Sequence, residues 1–175
     1  MGHIDKGELF NIAGSCIDNQ IDFHCLDATE SIRSHAEYLM VEDNFCDAEI
    51  TLFDFEEHGI ADNFHIARNG AEALEYLFAE DGSLRIEPPK AIFLDLHMPK
   101  IDGLEFLHRI RSDERTKRIP VVVLKSSISP SELYECQRLG VHNFVRKPLE
   151  YENFIDAIND IDRCKKGRPG APHRS

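Results

Sequence analysis

Short apolar runs alternate with helix-like apolar stripes five times between residues 36 and 165, and this alternation restricts the fold more than any other feature. The runs that predict strands are residues 38–41, 64–67, 91–95, 121–124 and 142–145. After each run, apolar residues recur at intervals of three or four, which is typical of a helix with one buried face. Five βα units in succession predict an α/β domain with a doubly wound, five-stranded parallel sheet.

Local signals mark the boundaries between these elements. Residues 80–90 combine acidic residues, a glycine and two prolines, which predicts a loop before the third strand. Residues 121–124 (Val-Val-Val-Leu) are rich in β-branched side chains, as expected for a strand covered on both faces. Ser129-Pro130-Ser131-Glu132 predicts a helix start, because serine caps a helix and proline fits its first turn.

Two segments flank the predicted domain of residues 36–165. Residues 1–35 form an N-terminal extension that is expected to be partly helical and to pack against the domain or against a second copy of the chain. Residues 166–175 contain glycine, proline and basic residues, which predicts a disordered tail. The helical expectation for the extension depends on the apolar spacing of Leu9, Ile12, Ala13, Cys16 and Ile17.

Composition argues against several classes of protein. The net charge of −12 argues against nucleic acid as a partner, since phosphate binding needs a basic surface. No run of about 18 apolar residues predicts a membrane-spanning helix, and the first residues lack the pattern of a secretory signal. The five cysteines are odd in number and form no CxxC motif, which favours free thiols and a cytoplasmic location.

Charged and hydroxyl side chains follow four of the five predicted strands. Since the carboxyl ends of parallel strands meet at one edge of a sheet, these side chains are expected to lie together. Adjacent carboxylates repel one another unless a cation joins them, and Mg²⁺ prefers oxygen ligands. An aspartate between a metal and a lysine is a candidate nucleophile toward a phosphoryl group. In chain order the residues are Glu42, Asp43, Asp95, Lys125, Ser126 and Lys147.

The segments around these residues resemble the receiver-domain signature of two-component response regulators. The matching segments are Glu42-Asp43-Asn44, residues 93–103 (Phe-Leu-Asp-Leu-His-Met-Pro-Lys-Ile-Asp-Gly) and Arg146-Lys147-Pro148. The resemblance implies a flavodoxin-like fold with strand order 2-1-3-4-5. The pattern at residues 123–127 also resembles the single-domain regulators that work with bacteriophytochrome-type histidine kinases.

The resemblance implies a role for each matching residue. Asp95 corresponds to the phosphoacceptor, and Lys147 to the lysine that contacts the phosphoryl group. Asp43 corresponds to the main Mg²⁺ ligand, Glu42 to its acidic neighbour, and His97 to the position whose main-chain carbonyl also binds the metal. The implied function is a switch that takes a phosphoryl group from a sensor histidine kinase and signals through protein–protein contacts, a homodimer among them.

Lys125 stands where the family has a threonine or serine that bonds the phosphoryl group, and three interpretations remain open. Lys125 points to solvent, or replaces the hydroxyl as a charged donor, or pairs with Asp95 or Asp43 and reduces the need for Mg²⁺. Ser126 takes the hydroxyl role only if a bulge shifts the strand by one residue, because successive side chains point to opposite faces.

Two other functions compete with the phosphorylation switch. An ion pair between Lys125 and Asp95 favours a binding module with the receiver fold that works without phosphorylation. A phosphatase with an aspartyl intermediate is disfavoured, because His97 occupies the position of the second aspartate that such an enzyme uses. The chain is therefore not expected to be a turnover enzyme on an external substrate.

Overall fold

A computed structural model describes residues 36–166, in which five parallel strands form one sheet with helices on both faces. The strand order is β2-β1-β3-β4-β5. This order confirms the flavodoxin-like, doubly wound fold. The elements are β1 (Tyr38–Val41), α1 (Phe45–Glu57), a 3-10 turn (Ala61–Asn63), β2 (Phe64–Ala67), α2 (Gly70–Leu77), β3 (Ala91–Asp95), α3 (Gly103–Ser112), β4 (Val121–Lys125), α4 (Pro130–Arg138), β5 (Asn143–Arg146) and α5 (Tyr151–Lys165).

The strand bounds agree with the sequence prediction for β1, β2 and β3, and differ by one residue at β4 and β5. β4 continues to Lys125, and β5 begins at Asn143 because its register pairs Val122 with Asn143 and Lys125 with Arg146. The helix expected within residues 1–35 lies outside the described residues, as does the tail expected at 166–175 apart from Lys166, which is the C-cap of α5. Within residues 36–166, no helix has the length and apolar character needed to cross a membrane.

The sheet separates two apolar layers. On one face, Phe154 of α5 packs against Phe93 of β3 and against Phe55 of α1. On the other face, α2, α3 and α4 cover the sheet, and Phe106 of α3 is fully buried there. β3 is buried along its whole length, as expected for the central strand of a sheet covered on both faces. This burial holds Asp95, the last residue of β3, at the carboxyl edge.

Polar side chains cap the helices that begin at the same edge. Asn44 accepts a hydrogen bond from the main-chain N–H of Cys46 at 3.0 Å and starts α1. Ser129 and Glu132 form a reciprocal capping box at the start of α4, as the Ser-Pro-Ser-Glu segment predicts. Cys136 is the one buried residue among those of α4, and Ile128 and Leu139, which flank the helix, pack against the same apolar layer.

Candidate functional site

Three carboxylates meet at the carboxyl edge of the sheet. Glu42 and Asp43 follow β1, and Asp95 ends β3. Because β1 and β3 are neighbours with Val41 opposite Leu94, the next residues of both strands lie side by side. One oxygen atom from each of the three carboxylates lies within 4.8 Å of the other two.

Lys147 places its ammonium group among these carboxylates. Its Nζ donates to Asp95 Oδ2 and to Glu42 Oε1, both at 2.7 Å. The Lys147 side chain is 9% exposed. Burial alone would lower the pKa of Lys147, but the bonds to Asp95 and Glu42 raise it above its ordinary value. Lys147 therefore stays charged and neutralises part of the acidic cluster.

The loop after β5 fixes the position of Lys147. The peptide bond between Lys147 and Pro148 is cis. The main-chain N–H of Lys147 donates to the carbonyl of Lys125 at 3.0 Å, which joins this loop to the end of β4. Leu149, two residues after Lys147, is buried in the layer under α1 and α5. Contacts on both sides of the lysine thus direct its side chain toward Asp95.

Asp47 is a fourth carboxylate near the site. The sequence prediction considered only residues at the strand ends and therefore missed it. Its Oδ2 lies 3.8 Å from Lys147 Nζ. Asp47 belongs to the first turn of α1, not to a strand end, and an acidic side chain is favoured there by the helix dipole. The signal that could have identified it is the N-cap Asn44, because an acidic residue in the first turn after the cap lies close to the strand end that precedes the helix.

The environment of Glu42 fits a divalent cation. Glu42 is 3% exposed, and burial raises its pKa, an effect that the bonds from Lys147 and the main-chain N–H of Asn44 oppose. Its Oε2 lies 2.7 Å from Lys147 Nζ but accepts no hydrogen bond from residues 36–166. Mg²⁺ would satisfy this oxygen, and the exposed Asp43 leaves room for the waters that Mg²⁺ retains.

Glu42→Gln is expected to raise the free energy of unfolding of the metal-free protein at neutral pH by roughly 1 kcal/mol, because the desolvation cost of the buried Glu42 charge exceeds its attraction to Lys147, which keeps Asp95 as a partner. The folded-state pKa of Glu42 is raised above 4.5. Its contribution to stability is therefore complete below the unfolded-state pKa and is lost as pH rises through the folded-state pKa. The gain in stability from Glu42→Gln should therefore grow as pH rises through the same interval. Urea unfolding at several pH values measures it.

An exposed aspartate outside the cluster provides the control for this experiment. Asp62→Asn removes the same charge from a residue of the 3-10 turn whose side chain is open to solvent. The stability of this variant should change by no more than a few tenths of a kcal/mol. A Glu42→Gln variant that is less stable than the wild type at pH 7 would contradict the inference that burial disfavours the charged form of Glu42.

His97 contributes its main chain to the site and directs its side chain elsewhere. The main-chain N–H of His97 donates to Asp95 Oδ1 at 3.0 Å. The imidazole is 63% exposed, and its Nε2 lies 2.7 Å from Oε1 of Glu132 in α4. Each Asp95 oxygen thus has a separate partner, Oδ1 on the His97 peptide and Oδ2 on Lys147.

Lys125 lies on the opposite face of the sheet from Asp95. Asp95 pairs with Leu124 across the sheet, and side chains alternate along a strand, so the Lys125 side chain points away. Its Nζ lies 5.7 Å from the centre of the Phe144 ring, a cation–π distance. In the described part of the chain, no ion pair joins Lys125 to Asp95 or Asp43. Lys147 alone supplies the ammonium group that contacts Asp95 there.

Ser126 follows the last residue of β4 and is exposed. The register of β4 is continuous through Leu124 against β3 and through Lys125 against β5, so the bulge that would reposition Ser126 is absent from this strand. No hydrogen bond between Ser126 and Asp95 is found among residues 36–166. The structure thus gathers Glu42, Asp43, Asp95 and Lys147, and leaves Lys125 and Ser126 outside this group.

Comparison with known proteins identifies relatives of the whole domain. The model of the response regulator receiver domain matches residues 38–159. The response regulator Rcp1 of Synechocystis is 30% identical over 125 residues, which cover 71% of this chain and 84% of that protein. The probable methanogenesis regulatory protein FilR2 of Methanothrix harundinacea is 37% identical over 123 residues, which cover 70% of this chain and 79% of that protein.

Solved structures agree with this assignment of the fold. The bacteriophytochrome response regulator AtBRR is 36% identical, has a TM-score of 0.63, and aligns over 81% of this chain and 99% of its own. The phosphorylated cyanobacterial phytochrome response regulator RcpA is 30% identical, has a TM-score of 0.59, and aligns over 80% of this chain and 100% of its own.

Proposed function

Because this chain belongs to the response regulator receiver domain family, we propose that it is a phosphorylation switch of two-component signalling, with Asp95 as the phosphoacceptor. The observation that carries the proposal is the position of the Asp95 carboxylate, which lies between the Lys147 ammonium group at 2.7 Å and the acidic pair that follows β1. Family members are signalling domains, and we propose no turnover of an external substrate.

The proposed transfer begins with attack by a carboxylate oxygen of Asp95 on the phosphorus of a kinase phosphohistidine. A P–O bond forms while the P–N bond breaks, and the released imidazole nitrogen keeps the electron pair. Lys147 would neutralise charge that develops on the phosphoryl oxygens. When bound, Mg²⁺ would supply further positive charge there, and Glu42, Asp43, Asp95 and the His97 carbonyl are the groups proposed to hold it.

The kinase that supplies the phosphoryl group is proposed to be of the phytochrome type. AtBRR, RtBRR and RcpA carry bacteriophytochrome or phytochrome in their names and share at least 30% of their residues with this chain. A cytoplasmic location follows from this proposal, and it is compatible with the free thiols of Cys136 and Cys164. Output is proposed to occur through protein–protein contacts, including a homodimer.

Phosphorylation with a small donor tests the proposal. The protein is incubated with phosphoramidate and Mg²⁺, and intact mass is measured with time. The wild type should gain the mass of one phosphoryl group, Asp95→Asn should gain none, and Asp62→Asn, an exposed aspartate in the 3-10 turn, should behave as the wild type. A folded wild type that gains no mass at any Mg²⁺ concentration would instead support a binding module that works without phosphorylation.

Lys125→Thr is expected to leave the lifetime of the acyl phosphate within about twofold of the wild type, because Lys125 Nζ lies over Phe144 and away from Asp95. The lifetime is measured by the decay of the phosphorylated mass after removal of the donor. A larger change would show that Lys125 reaches the phosphoryl group once Asp95 is modified. Ser127→Thr, a nearby change in the same loop, serves as the control.

A further inference from the structure

Helix α4 buries few residues and makes several polar contacts with its neighbours. Among its residues only Cys136 is buried, whereas α3 buries four residues. Three contacts tie α4 to the β3–α3 loop and to α3, and they lie along the length of the helix. They are His97 Nε2 with Glu132 Oε1 at 2.7 Å, His108 Nε2 with Glu135 Oε1 at 3.1 Å, and Arg111 Nε with the carbonyl of Leu139 at 2.8 Å.

The first of these contacts is continuous with the phosphoacceptor. Asp95 Oδ1 accepts the main-chain N–H of His97 at 3.0 Å, and the His97 ring contacts Glu132. Glu132 Oε2 accepts the main-chain N–H of Ser129 at 2.8 Å, and Ser129 Oγ accepts the main-chain N–H of Glu132 at 3.2 Å. A series of hydrogen bonds thus runs from the Asp95 carboxylate to the capping box of α4.

We propose that the His97–Glu132 contact couples the chemical state of Asp95 to the position of the first turn of α4. The proposal rests on phosphorylation of Asp95, as proposed above, and identifies how that site is connected to the output surface. His97 and Glu132 are positioning residues in this scheme, since neither side chain contacts the phosphoryl group. The same structure places Lys125 over Phe144, so the coupling does not use a side chain at the position of the usual switch hydroxyl.

The physical basis of the coupling is a change at Asp95 Oδ1, the atom that accepts a hydrogen bond from the main-chain N–H of His97. Formation of the acyl phosphate converts the Asp95 carboxylate into a mixed anhydride, whose remaining carbonyl oxygen no longer shares a full negative charge. The hydrogen bond from the His97 N–H weakens or is redirected, because a hydrogen bond to a charged acceptor is roughly twice as strong as one to a neutral acceptor. The movement of this peptide carries the His97 ring, and Glu132 transmits it to the N-cap.

Hydrogen–deuterium exchange of residues 129–133, with and without phosphoramidate and Mg²⁺, tests the coupling. In the wild type, phosphorylation should change the exchange of this turn by about fivefold or more, a factor that corresponds to roughly 1 kcal/mol. In samples of His97→Leu and of the wild type matched by intact mass for the phosphorylated fraction, the exchange change of the variant should fall below about twofold. His97→Gln keeps a donor that reaches Glu132 and should restore part of the response.

The matched control removes a different contact to the same helix. His108→Leu breaks the His108–Glu135 contact, which has no connection to Asp95, so basal exchange of α4 should rise while the response to phosphorylation persists. A full response in His97→Leu, or no response in a phosphorylated wild type, would overturn the coupling alone. A wild type that gains no phosphoryl mass would overturn the proposed function, and the coupling with it.

Discussion

Lys147→Met is expected to destabilise the metal-free domain by about 3–5 kcal/mol at neutral pH, the typical cost of removing one partner of a buried ion pair. Glu42 and Asp95 are 3% and 5% exposed and would lose the ammonium group that contacts both. Their like charges would then face each other in a poorly solvated site. Urea unfolding at pH 7 without divalent ions measures the loss.

Two conditions should restore the stability of Lys147→Met. Lys147 lowers the pKa of Glu42, so without the ammonium group the folded-state pKa of Glu42 rises further and the stability of the variant increases as pH falls. Mg²⁺ should also stabilise the variant, because an ion that binds only the folded state shifts the unfolding equilibrium. Recovery by Mg²⁺ would separate loss of counter-charge from loss of packing.

Phosphorylation should respond to the same substitution. The rate of mass gain with phosphoramidate is expected to fall by about 10²–10³, the usual effect of removing one group that stabilises transition-state charge. Lys125→Met is the matched control, since it removes a lysine charge near the same sheet edge without contact to the carboxylates. Equal stability losses in Lys147→Met and Lys125→Met would contradict the assignment of Lys147 as the counter-charge.

Gly103→Ala is expected to cost about 3 kcal/mol or more, at the upper end of the range for overpacking in a folded protein. A Cβ at Gly103 would lie 2.2 Å from the carbonyl oxygen of Asp95 and 2.6 Å from the Cα of Leu96. Both atoms are main chain, so no side-chain rotation relieves the clash. The start of α3 would have to move away from the end of β3.

Gly103→Ala should alter the rate of phosphorylation as well as the stability of the domain. The main-chain N–H of Gly103 donates to the Leu96 carbonyl at 3.0 Å, which holds the loop after Asp95 against α3. Displacement of that loop should slow phosphorylation of whatever fraction stays folded. Thermal unfolding and intact-mass kinetics on the same sample measure both effects.

Gly59→Ala is the control for Gly103→Ala. Gly59 has a φ of 69° and nothing within 4 Å of an added Cβ, so alanine there costs only the strain of a left-handed backbone. That cost is about 1–2 kcal/mol and should leave phosphorylation unchanged. A Gly103→Ala variant no less stable than Gly59→Ala would show that α3 adapts freely to the added methyl group.

The sequence by itself determined the order of the elements and most of the site. Alternating apolar periodicity predicted β1, β2 and β3 to the residue, because burial on both faces leaves a strand few polar positions. Parallel strands share one carboxyl edge, so residues directly after β1 and β3 could be predicted to meet. Glu42, Asp43 and Asp95 are brought together in the structure, and Lys147 joins them.

Only the tertiary structure decided which charged groups contact each other. Strand register placed Leu124 opposite Asp95 and turned Lys125 toward Phe144. A shift of one residue would reverse which of these two side chains faces Asp95, and sequence spacing does not determine the register. Asp47 and Glu132 reach the site region from helices, and helix position depends on packing across the sheet. Local periodicity determines elements, whereas contacts between side chains distant in sequence depend on register and packing, which are properties of the assembled fold.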